Sequence, residues 1–391
     1  MTTVAHTRPP FWRDVRVLRV AGQAVFVVLI VLVAREVFLN LEFGVRRQGI
    51  DLSFDFLEQR AGFEIKEGID YSPNQSFFRA FRVGVVNTIA VAAVGFVLAT
   101  VLGLLIGVAR LSPNWLLRRM AQTYVELIRN VPVLVQIIFW YVAVVLALPV
   151  IGGGLSVWGV AYLSNRGAAI PWVRAEPGAG AFGLVVLVGL AAAAATWRWR
   201  LRVHERTGVP PRRFPAAAAV FAAIVGAGYA ATGGPLSIDV PTVERFGYEG
   251  GFQASPEYTA LLLGLAIYTA AFIAEIVRGS IQAVPKGQKE AAEALGLTPG
   301  QQLRLVVLPQ ALRIAIPPLN SQYLNLMKNS SLGVAIGFPE IVSVSGTIIN
   351  QAGRATQMIL LIMATYLTLS LLISAAMNLL NRLVASRGAL R

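Results

Sequence analysis

Residues 286–309 read KGQKEAAEALGLTPGQQLRLVVLP and form a polar segment between two long apolar stretches of the chain. A membrane-spanning helix needs about 20 apolar residues, so this segment is too polar and too short to be a span. Its first half predicts a short helix from Lys289 to Leu295, ended by Gly296, because glycine suits the left-handed conformation of a helix stop. Small side chains leave a surface that another protein could approach closely; they belong to Ala291, Ala292 and Ala294.

The second half of the segment carries the signals of another helix start. Thr298 offers an N-cap, Pro299 occupies the first turn, and Gln301 stands at the capping-box position. We expect this second short helix to run to Pro309, which opens the next apolar stretch. The segment is therefore predicted to be a helical hairpin between two spans.

The rest of the chain is strongly apolar. Of its 391 residues 56% are hydrophobic and only 14% are charged, with a mean hydropathy of +0.64, which argues against one or two soluble domains. The pattern predicts an all-α fold, a polytopic transmembrane helical bundle of about eight spans. These run roughly over 20–39, 84–108, 120–151, 179–197, 214–232, 258–278, 310–335 and 357–381.

Two of the predicted spans contain proline. Pro132 lies inside the third, and Pro317 and Pro318 lie inside the seventh. Proline removes a helix hydrogen bond and is tolerated in a span where neighbouring helices satisfy the freed carbonyl groups. We therefore expect kinked helices that face other helices at these two places.

Basic residues are distributed unevenly between the segments that join the spans. With the N-terminus inside, the cytoplasmic segments hold 19 Lys and Arg against 4 acids, and the external segments hold 10 against 13. Positive residues are retained on the cytoplasmic side of membranes. This asymmetry predicts that both termini are cytoplasmic, and it accounts for the net charge of +14 without a nucleic-acid partner.

Several chemistries have no support in the sequence. The absence of cysteine excludes disulfides and thiolate chemistry. No nucleophile elbow, metal-ligand cluster or paired catalytic carboxylates are found, so the chain is predicted not to be an enzyme and to hold no metal. It also has no phosphate-binding loop, since none of its lysines follows a glycine; the four are Lys66, Lys286, Lys289 and Lys328.

The polar segment resembles the EAA loop of binding-protein-dependent ABC importer permeases. The residues that carry the resemblance are Glu290, Ala291, Ala292, Gly296, Val306, Leu308 and Pro309, with Val306 where the pattern usually has Ile. In that family the loop is the coupling helix that docks on a cytoplasmic ATPase. The resemblance implies that Glu290, Ala291, Ala292, Gly296, Leu308 and Pro309 couple this chain to such a partner.

Flanking segments narrow the resemblance to the polar amino acid group, which imports histidine, glutamine and arginine. They are YVELIRNVPVLVQIIFWY (124–141), AEIVRGSIQAVPKGQ (274–288) and YLNLMKNSSLGVAIG (323–337). The resemblance covers about 84–151 and 258–383. The long external loop before residue 84 and the extra span pair between these two parts look like the large permease subunit of general L-amino acid transporters. It implies a bacterial inner-membrane permease that pairs with a second, different permease chain, cytoplasmic ATPase subunits and a periplasmic amino-acid-binding protein. ATP and Mg would be bound by the ATPase, with no cofactor on this chain.

Four regions are expected along the chain. Residues 1–83 form an uncleaved signal-anchor span and an external loop, and 84–151 form the first part of the permease core. Residues 152–257 are an inserted span pair with its loops. Residues 258–391 complete the core and contain the coupling loop.

Charged residues inside predicted spans are costly and are candidates for a site. Glu126 with Arg129, and Glu275 with Arg278, repeat one spacing that puts both side chains on one helix face. In one interpretation Glu126 or Glu275 lines the substrate pathway and meets the ammonium group of an amino acid. In the other each pair is an intrahelical ion pair or a gate near the coupling interface.

The seventh predicted span is more polar than a lipid-facing helix can be. Lys328 could meet a substrate carboxylate, with Asn325 and Asn329 as hydrogen-bond partners. Alternatively, these polar groups only join helices. We favour the pathway, because clustering together with a lysine exceeds what helix packing requires.

One alternative function remains open on sequence grounds. A secondary amino acid transporter driven by an ion gradient also has broken polar helices and intramembrane carboxylates. It leaves the EAA segment unexplained.

Overall fold

The computed structural model describes residues 15–47, 53–151, 153–207, 213–244 and 247–389, most of them in helices. In this described part six helices are long and apolar enough to cross a membrane, or up to eight spans if two bent helix pairs are counted. The helices are α1 (Val15–Arg47), α2 (Phe77–Ala109), α3 (Trp115–Arg129), α4 (Val133–Phe139), α5 (Ala179–Thr207), α6 (Arg213–Ala231), α7 (Pro256–Gln282), α8 (Lys286–Ala294), α9 (Pro299–Gln302), α10 (Leu308–Asn329), α11 (Ile341–Ala352) and α12 (Ala355–Ala389). The chain is thus a multi-pass membrane protein, and the predicted helical bundle is confirmed.

The third predicted span is not one continuous helix. Helices α3 and α4 are bent by 104° at residues 130–132, and α4 continues as a π-helical turn over Trp140–Val145. Pro132 is the N-cap of α4 and has extended backbone angles. The expected kink is therefore a break, because proline cannot continue the hydrogen-bond ladder of α3 into α4.

A change of direction follows the end of the seventh predicted span. Helix α10 runs through Pro317 and Pro318, and a 3₁₀ turn over Ser330–Ile336 follows. The change of direction, by 52°, comes before α11, next to Gly337 with its left-handed φ of 81°. A kink at Pro317 and Pro318 within α10 stays a prediction.

The centre of the bundle is the packing of α2 against α7, joined by α10. Val91 of α2, Leu265 of α7 and Leu326 of α10 are fully buried in one apolar cluster. Glycine allows the two long helices to approach closely, since a Cβ added at Gly103 would lie 2.6 Å from Ile273. Close approach of backbones through small residues stabilises helix pairs in membranes.

A small β structure was missed by the sequence analysis. Its strands are β1 (Leu155–Val157), β2 (Ala161–Ser164), β3 (Gly167–Ile170), β4 (Trp172–Ala175), β5 (Leu236–Asp239), β6 (Thr242–Val243), β7 (Tyr248–Glu249) and β8 (Phe252–Ala254). Antiparallel pairing gives one sheet in the order β1-β2-β3-β8 and two further pairs, β4-β5 and β6-β7. The two-residue turn at Asn165 and Arg166, followed by Gly167 with φ of 98°, is the signal that could have indicated the β2-β3 hairpin.

The segment over residues 53–76 lies across the N-terminal ends of α2 and α7. The Glu67 carboxylate accepts a hydrogen bond from the Ser255 hydroxyl, the N-cap of α7, at 2.5 Å. Asn87 of α2 donates to the Glu67 carbonyl at 3.1 Å. Burial raises the pKa of Glu67, and the Ser255 hydrogen bonds oppose this shift.

Helices α5 and α6 pack against each other as a hairpin. The contact again depends on glycine, since a Cβ at Gly228 would lie 2.2 Å from Val185. This hairpin and the surrounding strands fall within the region predicted to be an insertion. The four region boundaries and the cytoplasmic position of the termini stay predictions.

Candidate coupling surface and substrate pathway

The segment over residues 286–309 folds largely as its local signals predict. Helix α8 begins three residues earlier than expected and is followed by Gly296, which has φ of +73°. The Leu297 amide donates to the Ala292 carbonyl at 3.1 Å, which closes the helix end. The predicted capping box is formed, with the Thr298 amide 2.9 Å from the Gln301 side-chain oxygen.

The second predicted short helix is not separate from the next span. Helix α9 continues through a π-helical turn, Leu303–Val307, directly into α10. In this turn the Leu308 amide donates to the carbonyl of Leu303, five residues back. Pro309 has no amide hydrogen, so a helix passing it loses one bond, and the wider turn precedes it. One rod therefore extends from Pro299 to Asn329, roughly 45 Å at the helical rise per residue.

The two sides of α8 differ in their surroundings. The Ala292 side chain is only 2% exposed, whereas Glu290 and Ala291 are exposed. Leu295, just before the glycine stop, is 80% exposed. The side of α8 that carries Glu290, Ala291 and Leu295 is therefore open to solvent in the single chain.

Side-chain contacts connect α8 and the residues before it to α10. Gln310 of α10 donates to the Gln288 side-chain oxygen of α8 at 3.2 Å. Val307 and Ala311 are buried against Val284, which precedes α8. These contacts connect α8 and the chain before it to α10. Leu308 and Pro309, also predicted to take part in coupling, are exposed at the start of α10.

Three of the five predicted pathway residues, Asn325, Lys328 and Asn329, lie near the far end of this long helix. Asn325 and Lys328 are exposed, Asn329 is half-buried, and Leu326 and Met327 face the core. Ser321, Asn325 and Lys328 follow one another at helical spacing on one exposed face. Such a polar face in a span cannot lie against lipid and requires protein or a water-filled space beside it.

Glu275 is enclosed by two cations. Its carboxylate pairs with Arg278 on its own helix and with Arg110, the C-cap residue of α2. Arg110 was missed by sequence reasoning, because its partner lies 165 residues away and no local pattern joins them. This arrangement favours the ion-pair interpretation of Glu275 over contact with substrate.

Glu126 and Arg129 do not pair with each other despite the same spacing. The Glu126 carboxylate accepts from Gln122 at 2.7 Å, and the Arg129 guanidinium lies over the Phe272 ring, 5.1 Å from its centroid. Both side chains are exposed. The expectation of a second intrahelical ion pair was therefore wrong, because α7 supplies an aromatic ring where the cation can lie.

The spans, the solvent-exposed side of α8 and the polar face of α10 are together the features expected of a transport subunit. The family described as binding-protein-dependent transport system inner membrane component matches residues 253–387. The putative amino-acid ABC transporter permease protein YhdX of Escherichia coli K12 is 44% identical over 365 residues, covering 93% of each chain.

Two further relatives are similar over most of their length. The general L-amino acid transport system permease protein AapQ of Rhizobium johnstonii is 44% identical over 347 residues, covering 88% of this chain and 87% of that protein. The glutamate/glutamine/aspartate/asparagine transport system permease protein BztB of Rhodobacter capsulatus is 40% identical over 393 residues, covering 91% of each.

This chain belongs to the family of ABC transporter permeases, as its EAA segment indicated. It is a non-enzymatic membrane component of a binding-protein-dependent transporter. Membership implies partnership with an ATPase and a binding protein. The ion-gradient alternative receives no support from these relatives.

Proposed function

We propose that this chain is the large permease subunit of an ATP-driven importer of L-amino acids in the bacterial inner membrane. The names of the three relatives, which refer to amino acids, support the substrate class. The observation that carries the proposal is the exposed helix α8, linked by the short turn at Gly296 to α9, which continues without a break into α10 and its polar face.

In this proposal the coupling residues act as a lever. ATPase closure pushes on Glu290, Ala291 and the exposed Leu295, while buried Ala292 and the Gln288–Gln310 contact pass the motion to α10. ATP and Mg are bound by the ATPase, and this chain needs no cofactor of its own.

The pathway in this proposal follows the polar face of α10. The Lys328 ammonium group would bind the α-carboxylate shared by all amino acids, with Asn325 and Asn329 as hydrogen-bond partners. A common carboxylate site is compatible with a broad range of side chains. Glu126, exposed and free of an ion pair with Arg129, is the remaining carboxylate that could meet the substrate ammonium.

The proposed assembly places both termini in the cytoplasm and pairs this chain with a second, different permease. The polar face of α10, exposed in the single chain, would then line a space between the two permeases. A periplasmic amino-acid-binding protein would deliver substrate from the opposite side.

The test is reconstitution of this chain in liposomes with the ATPase, second permease and binding protein encoded by adjacent genes. Uptake of a panel of labelled L-amino acids is expected only with ATP and the binding protein. Uptake by this chain alone, under a proton or sodium gradient and without ATP, would contradict the proposal and establish a secondary transporter.

A further inference from the structure

The hairpin of β1 and β2 has an unusual apex. The Val160 amide donates to the Val157 carbonyl at 3.1 Å, which closes a turn around Trp158 and Gly159. Both central residues have positive φ, 52° and 70°. Positive φ at both central positions is the feature of a type I′ turn, whose first central residue is most favourably Asn, Asp or Gly.

A tryptophan at this position is conformationally costly. In the part of the chain that the structure describes, Trp158 is the one residue other than glycine with positive φ. Neighbouring contacts maintain the conformation: the Tyr162 hydroxyl donates to the Gly159 carbonyl at 2.7 Å, and the Tyr162 ring stacks on Tyr248 at 5.5 Å. A strained backbone conformation persists only where the surroundings hold it, and these contacts of Tyr162 hold the turn here.

The apex presents apolar groups and no charge. Trp158 is 93% exposed, and Leu155, Val157 and Val160 beside it are also exposed. No charged residue occurs from residue 146 to 164. The neighbouring β4-β5 pair differs, since its exposed apolar residues alternate with Arg174 and Asp239.

This apolar surface continues one that begins on α4. Exposed Phe139, Val142, Leu146 and Val150 follow one side of α4 and of the chain leaving it, and the hairpin begins five residues later. This side has none of the polar groups seen on the exposed face of α10. An entirely apolar exposed side of a span suits lipid, whereas a polar one requires water or protein.

We propose that the β1-β2 apex inserts Trp158 into the lipid headgroup boundary, on the side of the membrane where α4 emerges. Tryptophan is enriched at this boundary because its ring is apolar and its indole N–H is polar. The sheet β1-β2-β3-β8 then connects the anchored apex to the start of α7, since β8 ends at Ala254, next to the helix N-cap Ser255. The anchor holds this sheet beside the outer end of the transport core.

The chain has no cysteine, so a single introduced cysteine is the one labelling site on this subunit, which is labelled before assembly with its partners. Val157→Cys keeps Trp158, and Ile238→Cys is a matched control on β5, where Ile238 is 73% exposed beside Asp239. Each variant would carry a nitroxide in the complete transporter, in phosphatidylethanolamine/phosphatidylglycerol nanodiscs. We expect the label at 157 to be relaxed preferentially by oxygen, which dissolves in lipid, and the label at 238 by a water-soluble nickel chelate.

Equal access of the nickel chelate to both labels would overturn the proposal. So would a label at 157 that becomes shielded only when the binding protein is added, because the apex would then be a protein-docking surface.

A second variant isolates the side chain. Trp158→Asn in the Val157→Cys background favours the turn, because Asn adopts positive φ more readily, and removes the indole. We expect nickel access at 157 to rise several-fold while ATP-driven uptake shows that the complex is folded. An unchanged depth of the label would show that Trp158 is not the anchor.

Discussion

The guanidinium of Arg110, at the C-terminal end of α2, pairs with the carboxylate of Glu275, which lies about two turns before the end of α7. Arg278 pairs with the same carboxylate from within α7. Helix α7 leads through residues 283–285 directly into α8. The pair therefore joins α2 to the helix from which the coupling segment emerges.

Glu275→Gln should destabilise the protein by about 1 to 2 kcal/mol, because it leaves two partly buried guanidinium groups without a counter-charge. Thermal unfolding in detergent measures the change. Glu126→Gln is the matched control, since that exposed carboxylate only accepts from Gln122. Equal losses in the two variants would contradict a specific role for the Arg110 pair.

Gly296→Ala should uncouple ATP hydrolysis from uptake. No atom lies within 4 Å of an added Cβ, but a φ of +73° costs an L-residue about 1 kcal/mol or more, so the turn shifts. The number of ATP molecules hydrolysed per substrate molecule taken up, measured in the reconstituted complex, is expected to rise. Gly300→Ala is the control, because it also meets open space and lies in α9 without positive φ. Unchanged coupling of ATP hydrolysis to uptake in Gly296→Ala would contradict the proposal that α8 transmits the motion of the ATPase to α10.

Lys328→Met should lower the uptake kcat/KM by about tenfold or more, because a hydrogen bond to a charged group contributes about 1.5 to 3 kcal/mol. Lys328→Arg should retain most of the activity. Ser321→Ala, on the same face of α10, controls for packing. Normal uptake by a well-expressed Lys328→Met protein would exclude the proposed carboxylate contact.

Glu67 should make stability depend on pH. Since burial raises its pKa in the folded state, the folded protein holds this proton more tightly than the unfolded chain. The stability contribution is therefore complete below the ordinary value of 4.5 and is lost as pH rises through the raised pKa. Glu67→Gln should flatten this decline. Parallel melting-temperature curves for the two proteins across that range would contradict it.

Local chemistry explains what could be predicted within residues 286–309. The stop at Gly296 and the capping box of Thr298 and Gln301 depend on residues within one turn of each other, and both are present. The continuation of α9 into α10 was not foreseen, because a π-helical turn before Pro309 leaves no distinctive sequence pattern. The strands between residues 155 and 254 were missed because apolar length dominated the interpretation there.

By itself, the sequence determined that this chain crosses the membrane several times and that residues 286–309 form capped helical turns, because apolar length and turn chemistry are properties of contiguous residues. The resemblance of this segment to an EAA loop indicated the permease family. Only the tertiary structure decided which partners the two Glu-Arg pairs of equal spacing contact. Glu275 meets Arg110 from another helix, whereas Arg129 turns to Phe272 and leaves Glu126 with Gln122. The difference arises because the surrounding helices, brought together across long stretches of chain, set which partner each side chain can reach.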